Sequence, residues 1–234
     1  MTTMIEFENV SRIYKSGENE LKALDNLSLK IDKGEFVVIL GPSGAGKSTF
    51  LNLLGGLDTA TSGKIIVNGQ NIVDYDDKQL TEFRAKEVGF IFQFYNLIPN
   101  LTAKENIELM EDITGLKIDG DKILESVGLT GHGSQFPSQL SGGEQQRVSI
   151  ARAVAKQPAM LLCDEPTGAL DSNTGVLILS LLQSMCHEQN TTVVIVTHNA
   201  KLADAADKLI RIKNGQIEDI EIHENPLDVN EIEW

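Results

Sequence analysis

The stretch "GEFVVILGPSGAGKSTFLNLLGGL", Gly34 to Leu57, joins a short apolar run, a glycine-rich turn and a helix-forming segment. Its first part, "FVVIL", is apolar on both faces, which is typical of a strand in a parallel sheet covered on both sides. After the turn, apolar residues return at a spacing that places them on one face of a helix. These residues are Phe50, Leu51, Leu54 and Leu57. The stretch therefore predicts a strand, a loop and a helix of an α/β fold.

The turn in this stretch follows the spacing G-x-x-x-x-G-K-[ST], with Gly41, Gly46, Lys47 and Ser48 at the specified positions. Glycine lets the backbone curl with its N–H groups inward, and the next helix directs the positive end of its dipole at an anion. We expect Lys47 to neutralise nucleotide phosphates and the Ser48 hydroxyl to bind Mg²⁺. The alternative is a glycine-rich turn with a solvated lysine. The residues expected to surround the phosphates are Gly41, Pro42, Ser43, Gly44, Ala45, Gly46, Lys47, Ser48 and Thr49.

Alternating strands and helices flank this unit. Residues 4–31 predict an antiparallel hairpin with "KSGENE" as its loop, and "GKIIVNGQNI" is expected to rejoin that layer. After residue 157, the segments "AMLLCDEP", "TGVLILSLLQSMCHEQ", "TTVVIVTH" and "NAKLADAAD" predict strand, helix, strand and helix, and a hairpin around Asn214-Gly215 follows. We therefore predict an α/β fold, a P-loop NTPase core with a mainly parallel sheet and an antiparallel β subdomain.

Two other segments depart from this alternation. Residues from about 80 to 157 are mainly helical in pattern, with a break at "IFQFYNLIPNLT", and predict a helical subdomain inserted into a single domain spanning 1–234. Residues 221–234, "EIHENPLDVNEIEW", contain acidic groups and no lysine or arginine. We expect this segment to be a solvated tail, with partner binding as the alternative.

An acidic pair follows the apolar run "MLLC". The chain bends at the end of such a strand, so both Asp164 and Glu165 can reach the phosphate loop. We expect Asp164 to hold the Mg²⁺ shell and Glu165 to orient and deprotonate an attacking water. The alternative is an acidic turn that caps the next helix.

Composition narrows the class of function. The net charge is −14 and the pI is about 4.7, so binding to a nucleic-acid backbone would act against the average field of the protein. Cys163 and Cys186 lack a metal-binding spacing and are expected to be core residues in a reducing compartment. No apolar run reaches the roughly 18 residues of a membrane span, and the N-terminus lacks a signal-peptide pattern. We expect the chain to stay in the cytoplasm unless a partner holds it at a membrane.

Five motifs in order give a specific resemblance. "GPSGAGKST", "LSGGEQQ", "LLCDEP", "GALD" and "VTH" resemble, from about Met4 to Ile217, the nucleotide-binding subunit of the ATP-binding cassette transporters. The resemblance implies an ATPase that uses ATP and Mg²⁺. It also implies that two cassettes pack head to tail, with the second glycine loop of one closing on the γ-phosphate held by the other.

This second loop contains Ser141, Gly142 and Gly143. A serine hydroxyl, two glycines that allow close backbone approach and a helix start are suited to an anion. The alternative is a helix whose N-cap is Ser141. Glu144 stands where the broad family pattern has glutamine, so the role of that side chain is left open.

The resemblance implies roles for four more residues. Tyr14 matches the aromatic residue that stacks on adenine, with a core tyrosine as the alternative. Gln93 matches the loop glutamine that reaches Mg²⁺ and water, with a polar turn residue as the alternative. Asp171 resembles the residue that links the two sites of the dimer, and His198 resembles the histidine that contacts the γ-phosphate.

Within the family, "PTGALDSNTG", "FQFYNLIPNLTAKENI" and "YKSGENELKALDNLSL" are most similar to the branch of macrolide and antimicrobial-peptide exporters and lipoprotein-release systems. The implied protein is a separate ATPase subunit, a homodimer at the cytoplasmic face of the membrane with an integral membrane permease as partner. The apolar "FYNLIP" would dock the permease, or else fill the core of the helical subdomain. Two other functions remain as alternatives: a cassette ATPase acting on DNA or the ribosome, and a non-catalytic nucleotide-binding regulator.

Overall fold

The strands of the computed structural model form two sheets, and the structure describes residues 2–17 and 19–232. The strands are β1 (Thr3–Ser16), β2 (Asn19–Asp32), β3 (Phe36–Leu40), β4 (Ser62–Val67), β5 (Gln70–Asn71), β6 (Val88–Ile91), β7 (Met160–Asp164), β8 (Thr192–Thr197), β9 (Lys208–Lys213) and β10 (Gln216–Ile222). The helices are α1 (Lys47–Leu54), α2 (Asp77–Lys86), α3 (Ala103–Glu108), α4 (Met110–Thr114), α5 (Gly120–Ser126), α6 (Gly142–Ala155) and α7 (Ser172–Gln189).

The larger sheet is mainly parallel. Its order is β10-β9-β3-β8-β7-β6, and only the β9–β10 hairpin is antiparallel. All five residues of β3 are buried, as expected for a strand covered on both faces. Because the carboxyl ends of parallel strands meet at one edge, the segments that follow β3, β7 and β8 lie side by side. The predicted α/β class with a mainly parallel sheet is confirmed.

The smaller sheet is antiparallel, in the order β2-β1-β4-β5. It confirms the predicted hairpin and the return of "GKIIVNGQNI" to that layer, because β4 pairs with β1. The strands run farther than expected, however. Lys15 pairs with Glu20 within the segment predicted as a loop, so the connection is much shorter than "KSGENE".

One part of the predicted helix face is wrong. Phe50, Leu51 and Leu54 are buried on α1, but Leu57 lies beyond the helix and is 47% exposed. The helix ends at Leu54, and Gly56 has a left-handed φ of 64°. Glycine adopts that conformation without steric cost, so the chain turns away before Leu57 can continue the apolar face.

The helices α3 to α6 lie between β6 and β7 in the chain, and α6 packs against both α3 and α5. The range 80–157 predicted for the helical insertion also contains β6, which is a strand of the parallel sheet paired with β7. This short strand was missed because "VGFIF" stands directly after a helical pattern.

The acidic C-terminal segment is attached to α7 at the buried Val229, while most of its other described residues are exposed, so the expectation of a solvated tail was wrong at that attachment. Residues Glu221 and Ile222 belong to β10. Farther on, the Gln183 side chain on α7 donates to the Leu227 carbonyl (3.0 Å) and accepts from the Val229 N–H (3.0 Å). Net charge predicted hydration, but the buried Val229 and its backbone hydrogen bonds hold the segment against α7. The last two predicted tail residues lie outside the described part.

We expect Val229→Ala to lower the free energy of unfolding by about 2 kcal/mol, because it removes two buried methyl groups and leaves a cavity. Urea unfolding followed by circular dichroism measures this. Leu227→Ala is the matched control: it removes more side chain from the same segment, but at a site that is 42% exposed. Equal effects of the two substitutions would contradict packing of Val229 in the core.

Both cysteines are buried, as expected for core residues. Burial raises the pKa of the Cys186 thiol to about 12, and that thiol donates a hydrogen bond to the Gly34 carbonyl. No described helix is both long enough and apolar enough to cross a membrane.

Candidate functional site

A cleft of about 740 Å³ lies at the carboxyl ends of β3, β7 and β8. Its size suits a nucleotide-sized ligand. It brings together candidate residues from distant parts of the sequence, namely Tyr14, Ser43, Gly44, Gly46, Lys47, Ser48, Thr49, Gln93, Asp164, Glu165 and His198. A smaller cavity of about 290 Å³ beside Tyr75 and Lys86 contains none of the predicted site residues.

The glycines of the phosphate loop are required by both packing and conformation. Gly46 has φ 105°, and a Cβ there would lie 2.3 Å from the Ala23 carbonyl oxygen. A Cβ on Gly41 would lie 2.2 Å from the Ile212 carbonyl oxygen. Neither position can accept a larger residue without backbone movement. Because these two glycines have no side chain, the loop can pass close to the backbone of Ala23 and Ile212.

The loop leads directly into α1, and no described side chain caps the first turn of that helix. The N–H groups of a first turn have no partner within the helix and are suited to an anion. The Lys47 ammonium lies against the same loop, donating to the carbonyls of Gly41 (2.8 Å) and Pro42 (3.1 Å). A cationic side chain and free N–H groups therefore face the cleft together.

The predicted metal ligands Ser48 and Asp164 are in contact. The Ser48 hydroxyl donates to Asp164 Oδ2 at 2.9 Å, across 116 residues of sequence. Burial raises the pKa of Asp164, as does the neighbouring Glu165 charge, while the Ser48 hydrogen bond and Lys47 lower it. A hydroxyl, a partly desolvated carboxylate and the nearby Gln93 amide are hard oxygen donors of the type that Mg²⁺ prefers.

The second carboxylate is held by the strand next to it. Glu165 Oε1 accepts from the His198 backbone N–H (2.9 Å) and lies 2.7 Å from His198 Nδ1, and Oε2 accepts from the Thr197 hydroxyl (2.9 Å). Its backbone has φ 50°, a left-handed conformation that is costly for a residue with a side chain. Such strain persists only when surrounding contacts impose it, and here those contacts fix the carboxylate beside His198.

The alternative for the acidic pair was a helix cap. The structure gives that role to Asp171, which is the N-cap of α7 and accepts from the Thr174 N–H (3.1 Å) and hydroxyl (2.7 Å). These two hydrogen bonds lower the pKa of Asp171. Asp164 and Glu165 face the cleft instead.

Tyr14 lies on β1 of the antiparallel sheet and also lines the cleft. Its ring is partly exposed, which excludes the alternative of a core tyrosine. The Arg12 guanidinium lies 4.5 Å from the ring centre, and the Tyr14 hydroxyl donates to Asp58 (2.7 Å). Arg12 also pairs with Asp58 (2.7 Å), so the ring is presented to the cleft by two fixed neighbours.

The second glycine loop is not part of the cleft. Ser141 is the N-cap of α6, as the alternative interpretation proposed, and its hydroxyl donates to Glu144 Oε2 (2.8 Å). Glu144 also accepts from the Ser141 backbone N–H (2.7 Å). These bonds lower the pKa of Glu144. The residue whose role the sequence left open therefore completes a capping box. Ser141 and Gly142 are exposed.

Sequence reasoning missed several residues that shape the site. Thr197 stood within the quoted motif "VTH" but was given no role, although its hydroxyl orients Glu165. Asp58 binds both Arg12 and Tyr14 across 46 and 44 residues of sequence, and no local pattern signals those contacts.

Comparisons with known proteins give the family of this chain. The ABC transporter family model matches residues 24–168, which include the phosphate loop and the acidic pair. The ABC transporter ATP-binding protein MG065 of Mycoplasma genitalium is 44% identical over 99% of this chain, and the chain spans about half (50%) of that relative. The macrolide export ATP-binding/permease protein MacB of Mannheimia succiniciproducens is 43% identical over 92% of this chain and 34% of its own length.

A solved structure supports the fold as well. It is the dimeric post-hydrolysis state of the ATP-binding cassette MJ0796 of Methanocaldococcus jannaschii, bound to ADP and Pi. The likeness has a TM-score of 0.90 and 42% identity, and it covers 95% of this chain and all of that one (100%). The relatives include members of the branch indicated by the sequence. Because the family model matches more than half of this chain, the chain belongs to the ABC transporter family, whose cassettes bind and hydrolyse ATP with Mg²⁺.

Proposed function

We propose that this chain is the ATP-hydrolysing subunit of a membrane transporter, which closes as a homodimer around two MgATP and drives an integral membrane permease. The observation that carries the proposal is that the groups suited to binding and hydrolysing ATP lie in two separate places on the chain. Lys47, Ser48, Asp164, Glu165 and His198 meet in one cleft, while the second glycine loop lies outside it.

This division explains why one chain carries two loops suited to phosphate. Ser141 and Gly142 are exposed at the start of α6 and line no part of the cleft of their own chain. In a head-to-tail dimer they would face the γ-phosphate held by the partner. The solved cassette that this chain resembles is a dimer, which supports the pairing of two cassettes. For the Ser141 hydroxyl to donate to a phosphate, it must leave Glu144, so closure exchanges one acceptor for another.

The chemistry is hydrolysis of a phosphoanhydride by an in-line water, with positioning and electrostatics contributing most of the rate. Lys47 and the first turn of α1 would hold the phosphate oxygens, and Ser48, Asp164 and Gln93 would hold Mg²⁺. The metal supplies charge neutralisation when bound. Glu165 would orient the water and accept its proton. His198, with its side chain 79% exposed, is free to turn from Glu165 towards the γ-phosphate.

The segment after Gln93 supports a membrane partner. Phe94 is 77% exposed, which is unusual for a phenylalanine, and Ile98 is also exposed. Leu97 packs against the core, so the segment both anchors itself and leaves apolar side chains outside. We propose that Phe94 and Ile98 contact a cytoplasmic helix of the permease. The MacB relative, a macrolide export protein, supports export of a macrolide-like drug. The resemblance of the sequence to its branch leaves an antimicrobial peptide or a lipoprotein as the other proposed substrates, with the subunit at the cytoplasmic face of the membrane.

A pull-down tests this function. Tagged Glu165→Gln is incubated with MgATP and detergent-solubilised membranes of cells that contain the native system, and co-purifying proteins are identified by mass spectrometry. We expect one multi-span membrane protein in stoichiometric amount, and its loss when Phe94→Ser is added. Recovery of ribosomal or DNA-bound proteins without a membrane protein would instead support the alternative cassette ATPase.

Tyr14→Ala is expected to weaken ATP binding by about tenfold, because stacking of an aromatic side chain on a base contributes about 1–3 kcal/mol. Fluorescence titration with a labelled ATP analogue measures the affinity. Tyr14→Phe is the matched control, since it keeps the ring and loses only the hydrogen bond to Asp58. GTP should lose the same factor, because stacking discriminates little between bases. An unchanged affinity in Tyr14→Ala would remove Tyr14 from the nucleotide site.

A further inference from the structure

The glutamine at position 146 connects segments on both sides of the catalytic site. It lies on α6, five residues after Ser141, and is 1% exposed. Its Nε2 donates to the carbonyl of Phe92 at 3.3 Å and to the carbonyl of Pro166 at 3.2 Å. Phe92 directly precedes Gln93, and Pro166 directly follows Glu165. One buried amide therefore holds the backbone next to both proposed catalytic side chains.

The orientation of this amide is determined by its surroundings. The two amide hydrogens match the two carbonyl acceptors, and a flipped amide would place its oxygen against both of them. Gln146 Oε1 has no hydrogen-bond partner within the described residues. A buried polar oxygen without a donor costs free energy, so packing alone does not favour a glutamine here. The gain must come from the two bonds that it makes.

A second side chain of α6, that of Arg152, binds the same segment after Phe92. Arg152 donates to the carbonyls of Asn96 (2.9 Å) and Tyr95 (3.4 Å). Residues 92–96 are therefore attached to α6 at both ends. Gln146 alone also reaches the turn after Glu165, where the left-handed backbone needs external support.

We propose that Gln146 is a positioning residue for ATP hydrolysis, which sets the Gln93 amide and the Glu165 carboxylate at a fixed separation and ties both to the helix that begins at Ser141. It acts through the Phe92 and Pro166 carbonyls and touches no substrate. The inference rests on the proposed function, specifically on Gln93 as a metal ligand and Glu165 as the general base. Groups that support a metal ligand from behind typically change metal affinity or activity by about 10- to 100-fold when removed.

The test compares Gln146→Met with Gln183→Met. Gln183 is the matched control, because it is also a buried glutamine whose side-chain amide bonds two backbone groups, the Leu227 carbonyl (3.0 Å) and the Val229 N–H (3.0 Å), and it does not line the cleft. We expect Gln146→Met to lower kcat by about 10- to 100-fold and to raise the Mg²⁺ concentration needed for half-maximal activity. The KM for ATP should change little, since the phosphate loop is not a partner of Gln146. Gln183→Met should keep the wild-type kcat and Mg²⁺ requirement.

Hydrogen exchange gives a readout that is independent of activity. In the nucleotide-free protein, amides of residues 92–98 and 165–170 should exchange faster in Gln146→Met than in the wild type or in Gln183→Met. A lower melting temperature with unchanged kcat, Mg²⁺ requirement and exchange would overturn the inference, because it would show a structural role only. If Gln146→Met does not fold, Gln146→Asn keeps the amide but shortens its reach, and the same outcomes apply.

The Glu165→Gln variant separates this inference from the proposed function. If Glu165→Gln hydrolyses ATP at the wild-type rate, the assigned catalytic roles are wrong and the inference falls with them. If Glu165→Gln is inactive but the Gln146 variants keep wild-type kinetics and exchange, the proposed function stands and the inference alone is rejected.

Discussion

Glu165→Gln is expected to lower the ATP turnover number by about 10²- to 10⁴-fold, the usual contribution of a positioned general base. An amide cannot take a proton from the attacking water at neutral pH. The phosphate loop and Asp164 are unchanged, so MgATP should still bind, and the variant should accumulate as a closed dimer because it stalls before hydrolysis. Phosphate release measures turnover, and light scattering with size-exclusion chromatography in MgATP measures the dimer.

The matched control is Glu218→Gln, which makes the same chemical change on the exposed strand β10, where Glu218 pairs with Lys213 at 3.2 Å. We expect wild-type turnover and no ATP-dependent accumulation of the dimer in this control. Near-normal hydrolysis by Glu165→Gln would mean that another group activates the water. A loss of both hydrolysis and ATP binding would mean that Glu165 supports the site structurally through Thr197 and His198.

Lys208→Met is expected to lower the free energy of unfolding by about 3 kcal/mol, because it leaves a partly buried carboxylate without its cation. Lys208 is 8% exposed, and its ammonium lies 2.9 Å and 2.7 Å from the two carboxylate oxygens of Glu35. The same ammonium donates to the Lys30 carbonyl at 3.0 Å. Lys208 belongs to the parallel sheet and Lys30 to the antiparallel one, so this group joins the two sheets.

Urea unfolding monitored by circular dichroism measures this loss. Lys213→Met is the control, since it breaks the exposed Lys213–Glu218 pair on the same strand, and exposed pairs contribute only about 0 to 1 kcal/mol. The double variant Lys208→Met with Glu35→Leu should recover part of the stability by removing the unpaired carboxylate. If Lys208→Met costs no more than Lys213→Met, Glu35 remains hydrated and the two sheets are held by apolar packing alone.

Local patterns in the sequence predicted much of the fold and part of the site. The segment from Gly41 to Ser48 can be recognised from its own residues, because the glycine spacing and the Lys-Ser pair at the helix start are local features of the sequence. The hairpin at Asn214-Gly215 is another local feature: both residues have positive φ, as a tight hairpin turn requires. The apolar runs of β3, β7 and β8 predicted buried parallel strands for the same reason.

The end of a helix and the burial of the tail were harder to predict. Leu57 continued the periodicity of α1 in the sequence, but Gly56 turns the chain before that residue can pack. The segment 221–232 has the composition of a solvated tail, yet Val229 is buried against α7. Net charge is an average over the segment, while burial depends on one apolar side chain and on Gln183, which lies 46 residues away.

The sequence by itself determined the phosphate loop, the order of the strands and helices along the chain, and the residue types available for chemistry. Only the tertiary structure decided that Tyr14 is held by Arg12 and Asp58, that Glu165 is fixed by Thr197 and His198, and that Gln146 spans two backbone segments. Apart from the Arg12–Tyr14 contact within β1, these contacts join residues 20 or more positions apart: Tyr14 with Asp58, Glu165 with Thr197, and Gln146 with Pro166. Local propensity acts over a few residues, whereas such contacts form only when packing of the two sheets and α6 brings distant segments within hydrogen-bond distance.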